Sequence, residues 1–355
     1  MTTAPASATS QVARSVTAGW TGIVLAVALA SWALASDPGA PDGAKVAAMV
    51  LLGSACWMAG GQLAAVRPEA PGLVVAALVA TLMLLSLPES LSSAASAPPL
   101  AYANANGALV AVGLGGLLLS LPHLPSRLRP AGIAAAVAFL LAEIAIGSRA
   151  GLVTSVLLLL VVPNLGHGRR LAWQAAGALA LVPGVAAVVL IGRGAVPEGI
   201  VGRTVGTTRA ELWSDALGVA AGHPVHGVGA GRFAEYSDVA RGDSDLAWAH
   251  SAPLQLAAEL GWVGFAITAC LLAWMVLALG RFSALLGVLA LQPMIDYTLH
   301  FPAVVAGAMA LLGLASAGTH WQSDCRSSRR RSDSYLTRSR TDARYTCPPP
   351  ASHAG

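Results

Sequence analysis

The feature that most constrains this chain is a succession of long apolar runs, interrupted once by a long polar segment. Each run approaches the roughly 20 residues that a helix needs to cross a hydrocarbon core of about 30 Å. Of the 355 residues 55% are hydrophobic and 11% charged, which is too little polar surface for a soluble globule of this size. The sequence therefore predicts an all-α polytopic integral membrane protein, with about ten transmembrane helices and one large extracytoplasmic loop. The predicted spans are 19–35, 46–66, 72–87, 101–121, 131–147, 150–163, 171–192, 254–280, 282–299 and 302–318.

The spans and their connections divide the chain into five predicted parts. These are a cytoplasmic leader (1–17), seven transmembrane helices (18–192), an extracytoplasmic catalytic loop (193–253), three transmembrane helices (254–318) and a disordered basic cytoplasmic tail (319–355). The first run ends in small residues, as a signal-peptide cleavage site does. Its length favours a retained first span over a cleaved one.

The arginines predict the orientation, because Lys and Arg beside membrane spans are retained on the cytoplasmic side. Counted from a cytoplasmic N-terminus, short outer loops receive only Lys45 and Arg149. The loop 193–253 is then outside the cytoplasmic (inner) membrane, and so is any site that it forms. The inner side receives Arg14, Arg67, Arg127, Arg129, Arg169, Arg170, Arg281 and the arginines of the tail.

The tail arginines have two interpretations, a topology anchor or a contact with anionic membrane lipid. The excess of basic over acidic residues is small and gives no reason to expect a nucleic acid as partner. Cys56 and Cys270 lie inside spans, and Cys325 and Cys347 lie in the tail. No structural disulfide, metal site or cofactor is therefore expected in the polar segment.

The polar segment contains one predicted helix. Thr208 and Glu211 have the spacing of a capping box, and a stop follows at 222–224. Arg209 falls in the first turn, where a cation opposes the helix dipole, so it is a candidate anion ligand. The alternative is an arginine that contacts lipid head groups. The apolar face, which suits a helix lying at the membrane surface, consists of Leu212, Trp213, Ala216, Val219 and Ala220.

Arg149 lies in a short turn, 147–151, between two spans, with Glu143 one and a half turns earlier. Ionisable groups this close to hydrocarbon are usually functional and usually paired. We therefore consider two roles for Arg149, binding an anion or forming a structural pair with Glu143. Arg149 could have both roles if the pair with Glu143 positions the guanidinium for an anion.

Two further motifs precede the last three spans. The glycine-rich run 227–231 lacks the lysine and hydroxyl residue of a P-loop, so we predict a tight turn that brings backbone amides and Arg232 near the membrane surface. His250 precedes Ser251, the predicted N-cap of the next helix, and Pro253 in its first turn. A neutral imidazole there could serve as a base, although a lone histidine at a helix start can also be purely structural.

The order of these blocks resembles the O-antigen ligase and polymerase family of polytopic membrane glycosyltransferases. The resemblance covers residues 140–302. The resemblance implies a glycan donor on undecaprenyl pyrophosphate, transfer on the outer face without a metal, Arg149 and Arg209 as pyrophosphate ligands, and His250 as base. Two features depart from it, about ten spans instead of about twelve and Ser251 where the family often has Asn. The matching blocks are Ser148-Arg149-Ala150, Arg209-x3-Trp213, His223-Pro224-x2-Gly227-x-Gly229-x-Gly231-x-Phe233, His250-Ser251, Gly261-Trp-Val-Gly264 and Asp296-Tyr-Thr-Leu-His-Phe-Pro302.

The predicted function is a metal-independent, inverting membrane glycosyltransferase that moves a lipid-linked glycan onto a hydroxyl of a glycan or another acceptor. The alternatives are a polysaccharide polymerase of the same family and a non-enzymatic lipid-linked glycan transporter. Charges collected in an outer loop, instead of at mid-membrane, favour the enzyme. Beyond the catalytic set, the predicted substrate-binding residues are Arg203, Trp213, His223, Gly229, Arg232 and Glu259.

Overall fold

The computed structural model of the chain describes residues 8–92, 99–165, 170–204, 206–242 and 246–317. The predicted tail lies outside the described residues, as does the start of the predicted leader. Within these ranges every long element is helical. The α-helices are α1 (Ala8–Ala35), α2 (Gly43–Val66), α3 (Ala70–Ser92), α4 (Ala103–Ser120), α5 (Arg129–Ile146), α6 (Arg149–Val161), α7 (Arg170–Gly192), α8 (Glu198–Thr204), α9 (Thr207–Gly222), α10 (Phe233–Tyr236), α11 (Ala252–Leu279), α12 (Ser283–Ile295) and α13 (Pro302–Ala317).

A helix lies at each of the ten predicted spans. By length and hydropathy, the described residues contain six segments able to cross a membrane, and one of these, Ala252–Ile295, includes both α11 and α12. Shorter apolar helices occur at Trp20–Ala35, Arg149–Asn164 and Pro302–Ala317. The chain is a polytopic α-helical membrane protein, as predicted.

Helix α4 forms the centre of the bundle, and nearly all of its residues are buried. It packs against α3, α5 and α6. Small residues permit this: a Cβ on Gly72 of α3 would lie 2.3 Å from the Gly116 carbonyl oxygen of α4. Large apolar side chains on the outer helices, such as Leu85 and Leu171, are exposed, as expected for a surface that faces lipid.

Helix α11 is kinked at Gly261, whose φ of 67° favours glycine. The kink frees the carbonyls of Ala258 and Glu259, and these accept hydrogen bonds from the amides of Val228 (3.0 Å) and Gly229 (2.9 Å). The glycine turn, defined as residues 227–231, is thus bonded into the break in α11. Two of its amides therefore join the loop to α11 and have a structural role.

The same part of the fold reaches the start of the chain. Trp32 of α1 donates from Nε1 to the Leu260 carbonyl (2.9 Å) and stacks on His226, with ring centroids 5.0 Å apart. In the loop after α1, Asp37 accepts a hydrogen bond from Arg232 at 2.8 Å. The glycine turn therefore ties α1 to α11.

Helix α9 differs from its prediction at its start and in what it packs on. It begins at Thr207 after Gly206, whose φ is 90°, and no side chain caps it, so the predicted capping box at Thr208 is wrong. It ends at Gly222, as predicted. Its apolar face is buried against α7 and α11, so this face covers protein instead of lying on the membrane surface.

Candidate active site

Asp296, which directly follows α12, is the centre of a buried polar cluster. It is 1% exposed. Its carboxylate accepts hydrogen bonds from groups on four separate parts of the chain. The donors are Tyr102 Oη (2.8 Å), Asn104 Nδ2, Arg209 Nη2 (3.3 Å), His250 Nδ1 (3.2 Å) and its neighbour's amide, Tyr297 N (2.8 Å). We call Tyr102, Asn104, Ser148, Arg209, His250 and Asp296 the Asp296 network.

Electrostatics keep the centre of this network ionised. Burial alone would raise the pKa of Asp296, but the hydrogen bond with His250, the charge of Arg209 and the hydroxyl of Tyr102 hold it below its usual range. Burial and the nearby Asp296 carboxylate raise the pKa of Tyr102, so its hydroxyl remains a donor. Near neutral pH, Asp296 is a carboxylate that only accepts hydrogen bonds.

His250 is held from both sides. Its backbone has a φ of 50°, a strained value for a residue other than glycine, and its carbonyl accepts a hydrogen bond from Trp213 Nε1 at 3.3 Å. Because Asp296 can only accept, Nδ1 of His250 donates to it. Nε2 is buried and has no hydrogen-bond partner in the described part of the chain. In the neutral ring that nitrogen carries the lone pair, so it can accept a proton.

Ser251 is the N-cap residue of α11, as predicted, and Pro253 lies in the first turn. The serine side chain makes no capping hydrogen bond, however, and its Oγ is a second buried polar atom without a partner among the described residues. Two adjacent residues thus present unsatisfied polar atoms, which is unusual for a buried site.

The two predicted arginines belong to this end of the bundle. Arg209 is the third residue of α9, and its contact with Asp296 offsets the cost of a cation at a helix N-terminus. Arg149 begins α6 directly after Ser148, whose Oγ donates to Asn104 Oδ1 at 3.0 Å. A single hydrogen bond therefore joins Ser148, the residue before Arg149, to Asn104, which itself donates to Asp296.

Arg149 itself is exposed and forms no ion pair with the described residues. Glu143 is buried and accepts a hydrogen bond from Ser155 at 3.0 Å. The Glu143–Arg149 pair considered from the sequence is therefore not formed.

Residues 134–269 match the Wzy_C family, described as O-antigen ligase. The match covers 136 of the 355 residues and supports the resemblance to the O-antigen ligase/polymerase family. The family supports a membrane glycan ligase or polymerase type of function, with lipid-linked glycan substrates. No curated protein and no solved structure matches the chain.

The matched part of the chain runs from α5 into α11 and includes Arg149, Arg209 and His250. Asp296, Tyr102 and Asn104 lie outside it. The sequence gave these residues no predicted role, although Asp296 begins one of the blocks that match the family. One signal was available: Asp296 is an acid inside a predicted span, where ionisable groups are usually functional.

Most of the predicted substrate-binding residues contact other protein groups. Trp213 is buried and supports the His250 carbonyl, as described above. Gly229 belongs to the glycine turn, and Arg232 pairs with Asp37 (2.8 Å) and Glu235 (3.0 Å). Glu259 is buried and accepts hydrogen bonds from the Phe233 amide and from Gln255.

The other two, His223 and Arg203, lie apart from the network. His223 follows the last residue of α9, about 21 Å from Arg209 at a rise of about 1.5 Å per residue. Arg203 is exposed on α8. The structure thus brings Arg209, His250 and the turn of Arg149 together, and substrate contacts by the remaining residues stay predictions.

Proposed function

We propose that this ligase-family protein transfers a glycan from undecaprenyl pyrophosphate to an acceptor hydroxyl, on the outer face of the cytoplasmic membrane. The observation that carries the proposal is the Asp296 carboxylate, which contacts both a candidate base, His250, and a candidate pyrophosphate ligand, Arg209. One buried acid thereby fixes the two groups that such a transfer needs.

In the proposed reaction, His250 Nε2 accepts the proton of the acceptor hydroxyl. The hydroxyl oxygen forms a bond to the anomeric carbon while the bond from that carbon to the pyrophosphate oxygen breaks, so the anomeric configuration is inverted. Asp296 is a positioning residue, because it orients the imidazole through Nδ1 and stabilises the imidazolium that forms. General base catalysis of this kind contributes about 10²–10⁴-fold in rate.

The leaving pyrophosphate needs fixed positive charge. Arginine stays ionised and binds phosphate oxygens with two parallel hydrogen bonds. Arg149 is exposed, and Arg209 contacts Asp296 through a single nitrogen, so both retain donors for a ligand. We propose that these guanidinium groups take the place of a divalent cation and stabilise the charge that develops on the leaving group.

The proposal requires the site to face outward. If α1, α6 and α13 cross the membrane and α11 and α12 cross separately, the chain has the ten crossings that the sequence predicts. The connections 36–42, 147–148, 193–251 and 296–301 then share one side with the start of α4. This agrees with the hydrogen bonds that join Ser148 to Asn104, Arg209 to Asp296 and Arg232 to Asp37. Reporter fusions test this: a periplasm-specific reporter should be active at Gly242 and silent at Ser334. The reverse pattern would refute the topology.

A buried, hydrogen-bonded His–Asp pair at one end of the bundle supports an enzyme over a transporter, whose ionisable groups are expected at mid-membrane. A polymerase of the same family would use the same chemistry and differ in its acceptor.

Cells lacking the protein should accumulate undecaprenyl-linked oligosaccharide. That lipid, extracted and given to the purified full-length protein in liposomes, should be consumed with formation of one new glycosidic bond of inverted configuration, measured by mass spectrometry and NMR. Unchanged lipid in both experiments would rule out the proposed function.

A further inference from the structure

A groove of about 760 Å³ opens on the surface where α7 ends. The last turn of α7 forms one wall, the exposed face of α9 forms the second, and α11 contributes the third. Gly192 brings the first two walls together, since a Cβ there would lie 2.9 Å from Leu217 Cδ1 and 3.1 Å from the Trp213 carbonyl oxygen. The lining includes Val189, Arg193, Ser214, Leu217, Ala221 and Trp262.

The groove lies where the bundle leaves the membrane. Helix α7 is long and apolar enough to cross it over Leu171–Gly192, and Arg193 is the next residue. Trp262 directly follows the kink of α11, and its amide donates to the carbonyl of Pro224 in the polar loop at 2.8 Å. Tryptophan is enriched where a membrane meets water. Leu190, on the last turn of α7, is half exposed, so the groove has lipid on one side and the loop on the other.

The lining combines apolar walls with one cation. Among the described residues that line the groove, Arg193 carries the only charge. Its side chain is exposed and forms no ion pair within the described part of the chain. Val189, Leu217, Ala221 and Trp262 supply apolar surface. An apolar groove with one unpaired cation at the membrane boundary fits a lipid whose phosphate binds the guanidinium while a hydrocarbon chain fills the groove.

The donor of the proposed function is also an anionic lipid, but its expected site is on a different side of α9. Arg209 shares a face of α9 with Trp213 and Ala216, four and seven residues later, and both of these are buried in the protein. Ser214 and Ala221, in the groove, are rotated from Arg209 by about 120–140° around the helix axis, at about 100° per residue. The groove therefore fits a lipid of the surrounding bilayer better than the chain of a donor held by Arg209.

We propose that this groove binds an anionic phospholipid of the bilayer, with its phosphate on Arg193 and one acyl chain between α7, α9 and Trp262. A chain in this position contacts three helices at once. It holds α9, the helix that carries Arg209, against α7 and α11. The inference goes beyond the proposed function and does not depend on it, because lipid binding is measurable without glycan transfer.

The test uses the full-length protein in phosphatidylcholine vesicles that contain small, increasing mole fractions of phosphatidylglycerol with brominated acyl chains. Bromine quenches tryptophan fluorescence on contact. The signal of Trp262 is the difference between the parent protein and Trp262→Phe. This signal should fall at low fractions of brominated phosphatidylglycerol and then level off, as expected for one saturable site. Brominated phosphatidylcholine at the same fractions should quench it less. Equal quenching by the two lipids would mean contact with bulk lipid only and would overturn the proposal.

Variants then test the two parts of the groove. Arg193→Gln should raise the phosphatidylglycerol fraction at half quenching about fivefold, the effect of losing one cation near a lipid phosphate. Ala221→Leu places a larger side chain in the groove at an exposed position and should lower the plateau. The matched control is Arg241→Gln, which removes an exposed arginine of the same loop outside the groove and should keep the parental curve. A parental curve in both Arg193→Gln and Ala221→Leu, or an equal shift in Arg241→Gln, would refute the site.

A competition separates the phospholipid from the donor. Unbrominated phosphatidylglycerol should restore the Trp262 fluorescence, and undecaprenyl phosphate at the same mole fraction should restore it less. A stronger effect of the undecaprenyl lipid would assign the groove to the donor and overturn this inference. The proposed transfer is judged separately, by consumption of the lipid-linked glycan.

Discussion

The Asp296 network and the glycine turn are both polar, both lie beside the long loop, and both join distant parts of the chain. They differ in what their polar groups contact. In the glycine turn the amides of Val228 and Gly229 bond to α11, and Arg232, directly after the turn, pairs with two acids. In the network His250 Nε2 has no partner among the described residues, and the nearby Arg149 is exposed. Paired groups hold the fold, and unpaired ones remain for a substrate.

The largest expected effect comes from removing the unpaired nitrogen. His250→Ala should lower turnover about 10²–10⁴-fold and leave donor binding nearly intact, because the base acts on the acceptor proton. His123→Ala removes an exposed histidine just after α4, at the opposite end of that helix from Asn104, and should stay near the parental rate. Initial rates of glycan transfer at normal expression and insertion are the measurement. A His250→Ala protein with the parental rate would remove this residue from the mechanism.

Replacing the arginines should have the next largest effect. Arg149→Lys and Arg209→Lys keep the charge but lose the planar fork, so donor binding and transfer should weaken together, about 10–100-fold in kcat/KM. Arg232→Lys is the comparison variant: Arg232 is already paired with Asp37 and Glu235, so its loss should be smaller. Equal losses in all three variants would contradict the distinction between the two regions.

A substitution in the glycine turn should change stability instead of chemistry. Gly229 has a φ of 94°, and a Cβ there would lie 2.7 Å from an Asp37 carboxylate oxygen, so Gly229→Ala should destabilise the fold by about 1–3 kcal/mol. Turnover per folded molecule should be unchanged. Gly218→Ala on α9, where nothing lies within 4 Å of the added carbon, is the control. Thermal unfolding in detergent, combined with rates normalised to folded protein, separates the two effects.

The smallest expected effect is that of removing divalent cations. If Arg149 and Arg209 supply the charge that the pyrophosphate needs, EDTA should leave the transfer rate unchanged. The assay uses donor and protein both treated with chelator. Activity lost in EDTA and restored by Mg²⁺ or Mn²⁺ would contradict the proposed role of the arginines.

The positions of the helices could be predicted from the sequence because the length of an apolar run is a local property. All ten predicted spans coincide with helices, and the end of α9 was predicted from its stop signal. The start of α9 was not, because Gly206 supplies a backbone turn where the capping pattern favoured Thr208.

The candidate site was predictable only in part. Arg149, Arg209 and His250 could be selected as unusual polar residues near predicted membrane boundaries. The network around Asp296 could not be predicted from the sequence. Tyr102 and Asp296, for example, are 194 residues apart and meet only when α4 packs beside α12 and α13. The glycine run was predicted as a tight turn near the membrane surface. The sequence did not reveal that two of its amides bond to carbonyls freed by the kink in α11.

The bond between Trp32 and Leu260 also bears on how the protein is made. The two residues are 228 positions apart, so α1 leaves the ribosome long before α11 exists. Contacts of such separation form late and slowly in folding. Until then α1 has α2 as its early neighbour, and the Trp32 indole N–H is not yet bonded to the carbonyl that finally accepts its hydrogen bond. We expect the completion of α11 to be the step of biogenesis at which this end of the bundle closes.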